Sequence, residues 1–117
     1  QTTSNYPQAL SSLFDVSVQP FIASWMAYNP LEEVAKLEIP VLIINGTKDL
    51  QVPVEEANML HNANPKSEIV LIENMNHVLF TIEGDDLENA KSYNEGFRKI
   101  NSDLILTITN FISKFTP

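Results

Sequence analysis

Two short runs constrain this chain more than any other feature: VLII at residues 41–44 and IVLI at residues 69–72. Both are rich in β-branched residues, and neither alternates with polar positions. A strand wetted on one face shows a period of two, whereas a strand covered on both faces reads as a continuous apolar run. The runs therefore predict two strands of a parallel sheet. The segment between them carries helix signals. Pro53 suits the first turn of a helix, where its missing N–H costs nothing. Glu55 and Glu56 favour the positive end, and Val54, Ala57 and Leu60 share one face. NANP at residues 62–65 stops the helix. Strand, helix and strand together make a βαβ crossover of right-handed sense.

The flanking segments are mostly helical in pattern. Residues 1–8 are polar, and Leu10, Leu13 and Phe14 are spaced for one helical face. Pro20 opens a short amphipathic helix with Phe21, Ile22, Trp25 and Met26, ending near Asn29 and Pro30. A further turn or two follows, with Leu31, Val34, Ala35 and Leu37 inward. Residues 83–99 are polar and read as an excursion or a partly helical loop. A last helix begins near Asn101 or Ser102. Its stripe of Leu104, Ile108, Phe111, Ile112 and Phe115 suits packing on the sheet better than a membrane or partner role. Two strands buried on both faces need neighbouring strands, and residues 1–40 supply only helices. The expected fold class is α/β, with these strands forming the end of a larger sheet.

Composition narrows the function. The chain has 117 residues, the size of one domain, and 15 acids against 7 bases give a net charge of −8. Such a chain repels phosphate backbones, which argues against nucleic acid as a partner. The absence of cysteine excludes disulfides, thiolate catalysis and cysteine zinc sites, but leaves the compartment open. No apolar run approaches the roughly 20 residues of a membrane span.

In open parallel sheets, sites form beyond the carboxyl ends of the strands. Asp49 follows the first run and His77 the second. Adjacent strands lie about 4.8 Å apart, so the loops that follow can bring the two side chains together. A carboxylate on one imidazole nitrogen fixes the tautomer and frees the other nitrogen to take a proton from a hydroxyl nucleophile. Plainer roles exist for each residue alone: Asp49 can close its own turn, and His77 can be a structural loop histidine. His61, near a helix end, suits dipole capping better than catalysis. Asp85 and Asp86 suit a solvated turn or helix cap better than a metal site. Phe21, Trp25 and Met26 are candidates for core packing or for lining an acyl pocket, with core packing the simpler.

The stretch IPVLIINGTKDLQVPVEEANML at residues 39–60, followed by SEIVLIENMNHV at residues 67–78, resembles the C-terminal part of an α/β-hydrolase. The likeness is to bacterial serine esterases and lipase-like members. In that family a G-x-x-D-x-x-V-P turn carries the acid, here Gly46, Asp49, Val52 and Pro53, and the histidine follows the next strand, here His77. The order Ser, acid, His agrees with Asp49 preceding His77. The resemblance is strongest from Ile39 to Leu79. It implies that residues 39–117 are the C-terminal part of the hydrolase core domain and residues 1–38 the end of a helical cap or the segment returning from it. It also implies a carboxylic ester or related acyl substrate, and no cofactor or metal. The nucleophile elbow G-x-S-x-G is missing: Gly46, Gly84 and Gly96 are the only glycines, and no pair has the required spacing. The serine and oxyanion hole are therefore expected upstream of Gln1, in the remainder of the hydrolase domain, and the 117 residues alone are expected to be inactive. The alternative is a non-catalytic half-domain that self-associates or binds a partner through an uncovered sheet edge.

Overall fold

The computed structural model describes Asn5, Pro7, Gln8 and residues 15–117. The expected helical face of Leu10, Leu13 and Phe14 lies outside the described residues. Among the described residues the elements, in order, are α1 (Gln19–Met26), α2 (Pro30–Ala35), β1 (Leu42–Gly46), α3 (Val54–Ala63), β2 (Glu68–Ile72), α4 (Asp86–Ser92) and α5 (Ser102–Ser113). The chain is thus mixed α/β with a small sheet of two parallel strands. The register runs from Leu42 opposite Glu68 to Gly46 opposite Ile72. The two apolar runs become strands because β-branched side chains pack well on a pleated surface.

Helix α3 forms the crossover. Pro53 is its N-cap, in extended conformation, one position earlier than the first-turn placement its chemistry suggests. Glu55 and Glu56 lie in the first turn, beside the unpaired N–H groups. Ala57 is fully buried, and Val54 and Leu60 are half-buried, as the spacing predicts. The helix ends at Asn64, whose buried amide donates to the carbonyls of Val34 (2.9 Å) and Leu37 (3.4 Å). That side chain ties the end of α2 to the end of α3. His61, in the last turn, meets the Ser67 hydroxyl through Nδ1 at 2.8 Å and joins α3 to the start of β2.

Helix α5 is capped by Asn101, whose Oδ1 accepts from the Leu104 N–H at 3.1 Å. Leu104 joins Ile72 and Met75 in a buried cluster, with Ile44 and Val70 packed against it. Only this first turn of the predicted stripe is covered. Phe111 is half-buried, and Ile108, Ile112 and Phe115 are exposed. No third strand lies beside β1 and β2 among the described residues to receive them.

Helix α1 departs further from expectation. Phe21, Trp25 and Met26 are 59%, 68% and 79% exposed, so they neither pack in a core nor line a closed pocket. Phe21 and Trp25 cover one another instead, with ring centroids 5.0 Å apart. In α2 and the residues after it, Leu31 and Val34 are half-buried, but Ala35 and Leu37 face solvent rather than inward. Among the described residues no helix is long and apolar enough to cross a membrane.

Where the strands end, backbone meets backbone. A Cβ at Gly46 would overlap the carbonyl oxygen of Met75. That carbonyl accepts from the Lys48 N–H at 2.9 Å, and the Ile72 carbonyl accepts from the Thr47 N–H at 3.0 Å. The Asn74 N–H in turn donates to Thr47 Oγ1 at 2.8 Å. Glycine is needed here for close approach, not for a left-handed backbone. We predict that Gly46→Ala destabilises the fold by roughly 3 kcal/mol, because no backbone atom at the contact can yield cheaply. Urea denaturation measures it, and an unchanged midpoint would contradict the contact.

Candidate active site

The turn after β1 presents Asp49. Its N–H donates to the Gly46 carbonyl at 3.2 Å, closing the turn. Its Oδ1 accepts from the N–H groups of Gln51 and Val52, both at 2.9 Å. Its Oδ2 meets Nδ1 of His77 at 3.0 Å. Each oxygen of Asp49 is therefore engaged: the first closes the local turn and the second meets the histidine.

His77 lies in a tight loop after β2. Met75 and Thr81 form an antiparallel bridge across its base. Inside that bridge the Asn76 N–H donates to the Phe80 carbonyl at 2.9 Å and the Leu79 N–H to the Asn76 carbonyl at 3.1 Å. Closing so short a loop sends Leu79 into the left-handed region, with φ 72°, a conformation that costs a residue with a Cβ about 1–2 kcal/mol. The Asn101 N–H, leading into α5, holds the Leu79 carbonyl at 2.8 Å.

The surroundings of Asp49 favour its ionised form. The side chain of Asp49 is 9% exposed and that of His77 is 39% exposed. Burial is the largest influence on Asp49 and opposes its charge. The hydrogen bonds from Val52, His77 and Gln51, with the charge of the ring, outweigh it and hold the carboxyl below the usual carboxylate value. An ionised carboxylate only accepts hydrogen bonds, so Nδ1 carries the proton. In the neutral ring the lone pair is then on Nε2, the arrangement required of a general base. A cleft of about 250 Å³ opens beside the pair, bounded by Asp49, Val52, Met75, His77 and Leu79.

The other candidates take plainer roles. Asp85 is the N-cap of α4: its Oδ1 accepts from the Glu88 N–H at 3.0 Å. Glu88 reaches back to the Gly84 N–H at 2.7 Å. Asp86 lies in the first turn of the same helix. His61 stands at the end of α3 against Ser67, apart from the Asp49–His77 pair.

Sequence reasoning missed the residues behind the pair. Asn76, Asn89 and Ser92 are all but inaccessible to solvent. The Asn76 amide donates to Asn89 Oδ1 at 3.0 Å and to Ser92 Oγ at 2.8 Å, while its Oδ1 accepts from the Phe80 N–H at 2.9 Å. Asn89 donates to the Lys48 carbonyl at 2.6 Å. The spacing D-x-x-E at residues 85–88 is a capping signature and marks the helix that carries Asn89 and Ser92 on one face.

No protein-family model matches the chain, and no curated protein matches it.

The lowered Asp49 value sets a pH dependence. A carboxyl whose native value lies below its unfolded value, about 3.9 for Asp, contributes stability that is complete above that unfolded value. The contribution is lost as pH falls through the lowered native value. Asp49→Asn removes it, so the acid limb of a stability–pH curve is expected to be shallower in the variant. Parallel acid limbs would contradict the ionised pair.

Proposed function

We propose that these residues are the acid–base part of a serine hydrolase of the α/β-hydrolase type, acting on carboxylic esters or related acyl compounds. The observation that carries the reading is the 3.0 Å contact of Asp49 Oδ2 with His77 Nδ1, beyond the carboxyl ends of two adjacent parallel strands. Acid and base stand in the chain order of that class. In this reading His77 takes the proton of a serine hydroxyl through Nε2 and returns it to the leaving alcohol. Asp49 holds the ring in the working tautomer and stabilises the imidazolium. No described serine or threonine hydroxyl bonds to His77, and the nucleophile is assigned to a part of the hydrolase domain outside the 117 residues. The same reading divides the chain into residues 1–38, the end of a helical cap or its return segment, and residues 39–117, the closing part of the core. It needs no cofactor.

The exposed apolar surface supports the completion of this sheet by further strands. That surface includes Leu71 of β2 and Ile105, Leu106, Ile108, Ile112 and Phe115 of α5, all exposed. It equally favours a second reading, in which the 117 residues form a non-catalytic half-domain that pairs with its own copies or another partner. Activity separates the two.

In the protein expressed from its complete gene, His77→Ala is expected to abolish turnover of p-nitrophenyl esters. Asp49→Asn is expected to lower kcat about 10⁴-fold, because the ring loses its tautomer. Trapping with a fluorophosphonate would mark the serine. Full activity in either variant removes that residue from the mechanism. The absence of any esterase activity or trapped serine favours the half-domain.

A further inference from the structure

The Asp49 turn and the His77 loop are joined at their bases by the Lys48–Met75 and Asn74–Thr47 hydrogen bonds. A second connection runs behind them, and it passes through one side chain of α4. Asn89 donates through Nδ2 to the carbonyl of Lys48, the residue before Asp49. Its Oδ1 accepts from the amide of Asn76, the residue before His77. We infer that Asn89 is a positioning residue: a single buried carboxamide that clamps the acid turn to the base loop and so holds Asp49 against His77. The catalytic consequence rests on the hydrolase reading above; the clamp does not.

Three features make this more than routine packing. Asn89 and Asn76 are 0% and 1% exposed, so neither amide can exchange its partners for water. Both N–H groups of the Asn76 amide are used, one on Asn89 and one on Ser92, and its oxygen takes the Phe80 N–H. Its orientation is thereby fixed. Ser92 is oriented in its turn, because its hydroxyl donates to the Asn89 carbonyl at 2.7 Å. The acid turn is also gripped by α4 and its flanks at two further points. Lys48 Nζ donates to the Gly84 carbonyl at 3.1 Å, and Gln51 Nε2 to the Tyr93 hydroxyl at 3.3 Å. The whole segment therefore rides with the acid; Ser92 also holds Asn76 from it, but Asn89 is its side chain that bonds directly to both loops.

Removing the carboxamide leaves the Lys48 carbonyl and one Asn76 N–H without partners in a dry site. The two loops then lose the side chain that bonds to both, and keep only their links at the bases and their separate contacts with α4 and its flanks. The test uses the protein from its complete gene, in Asn89→Ala and in Asn89→Leu, which fills nearly the same volume without hydrogen bonding. The control is Asn64→Ala. That variant also removes a buried amide, but at the opposite end of the strands, where it holds Val34 and Leu37.

Nitrogen-15 spectra of the neutral His77 ring report its tautomer without any need for activity. The expected result is a single Nδ1–H form in the parent and in Asn64→Ala, and a mixture of tautomers in either Asn89 variant. In an active enzyme, kcat falls roughly 100-fold with KM little changed. A single Nδ1–H form in a folded Asn89 variant overturns the clamp. Should neither Asn89 variant fold, the parent decides: slow exchange of the Asn76 and Asn89 side-chain amide protons supports the clamp, and rapid exchange overturns it. A tautomer that responds in a protein without esterase activity upholds the clamp and removes the hydrolase reading.

Discussion

The Met75 carbonyl rests on the bare Cα of Gly46, and the architecture at this end of the sheet follows from that approach. Two parallel strands need not stay together once their ladder ends. Here the chain leaving β1 passes directly beneath the chain leaving β2, and hydrogen bonds from Thr47 and Lys48 hold it there. Asp49 and His77 stand only a few residues beyond the contact. At about 3.4 Å per extended residue, neither has enough chain to stray far from the other. The meeting of carboxylate and imidazole is thus a consequence of backbone packing before it is a property of either side chain.

The balance of what is buried is unusual for a small α/β unit. Among the described residues six apolar side chains are buried, against eight polar ones. Asn45, Asn76, Asn89, Ser92 and Asn101 all lie toward the carboxyl ends of the strands or the loops that follow. No buried side-chain polar atom among the described residues lacks a partner. Hydrogen bonding therefore secures the end with the acid–base pair, while large apolar side chains of α1 and α5 face water.

The sequence was most legible where one force dominates. Continuous β-branched runs read as strands, and the proline and paired glutamates mark the crossover helix at its start; the expected cover on both faces is not met in β2, where Leu71 is 42% exposed. Asp49 and His77 were legible because parallel strands deliver their following loops to the same place. The outer helices were less so. The spacing of Phe21, Trp25 and Met26, like that of Ile108, Ile112 and Phe115, shows that a face wants cover but not what covers it. The Asn76–Asn89–Ser92 network was hidden for the opposite reason. Polar residues in a polar stretch look like solvated loop, and only three-dimensional closure reveals that they are dry.

The segment between Ile82 and Ile100 leaves and returns at nearly the same point. The Ile82 N–H binds the Asn74 carbonyl at 2.8 Å, and Ile100 is bridged to Phe80. Such a closed detour can change length without moving the strands or α5, since loop closure depends only weakly on the number of residues enclosed. Its freedom is uneven. Beyond Ser92 the path is mostly solvent-facing and could lengthen or shorten as sequences diverge. The turn of helix carrying Asn89 and Ser92 could not, because its register is set by the two loops it holds. Divergent versions of this chain should therefore differ in length on the return path while keeping the outward path and its helix fixed.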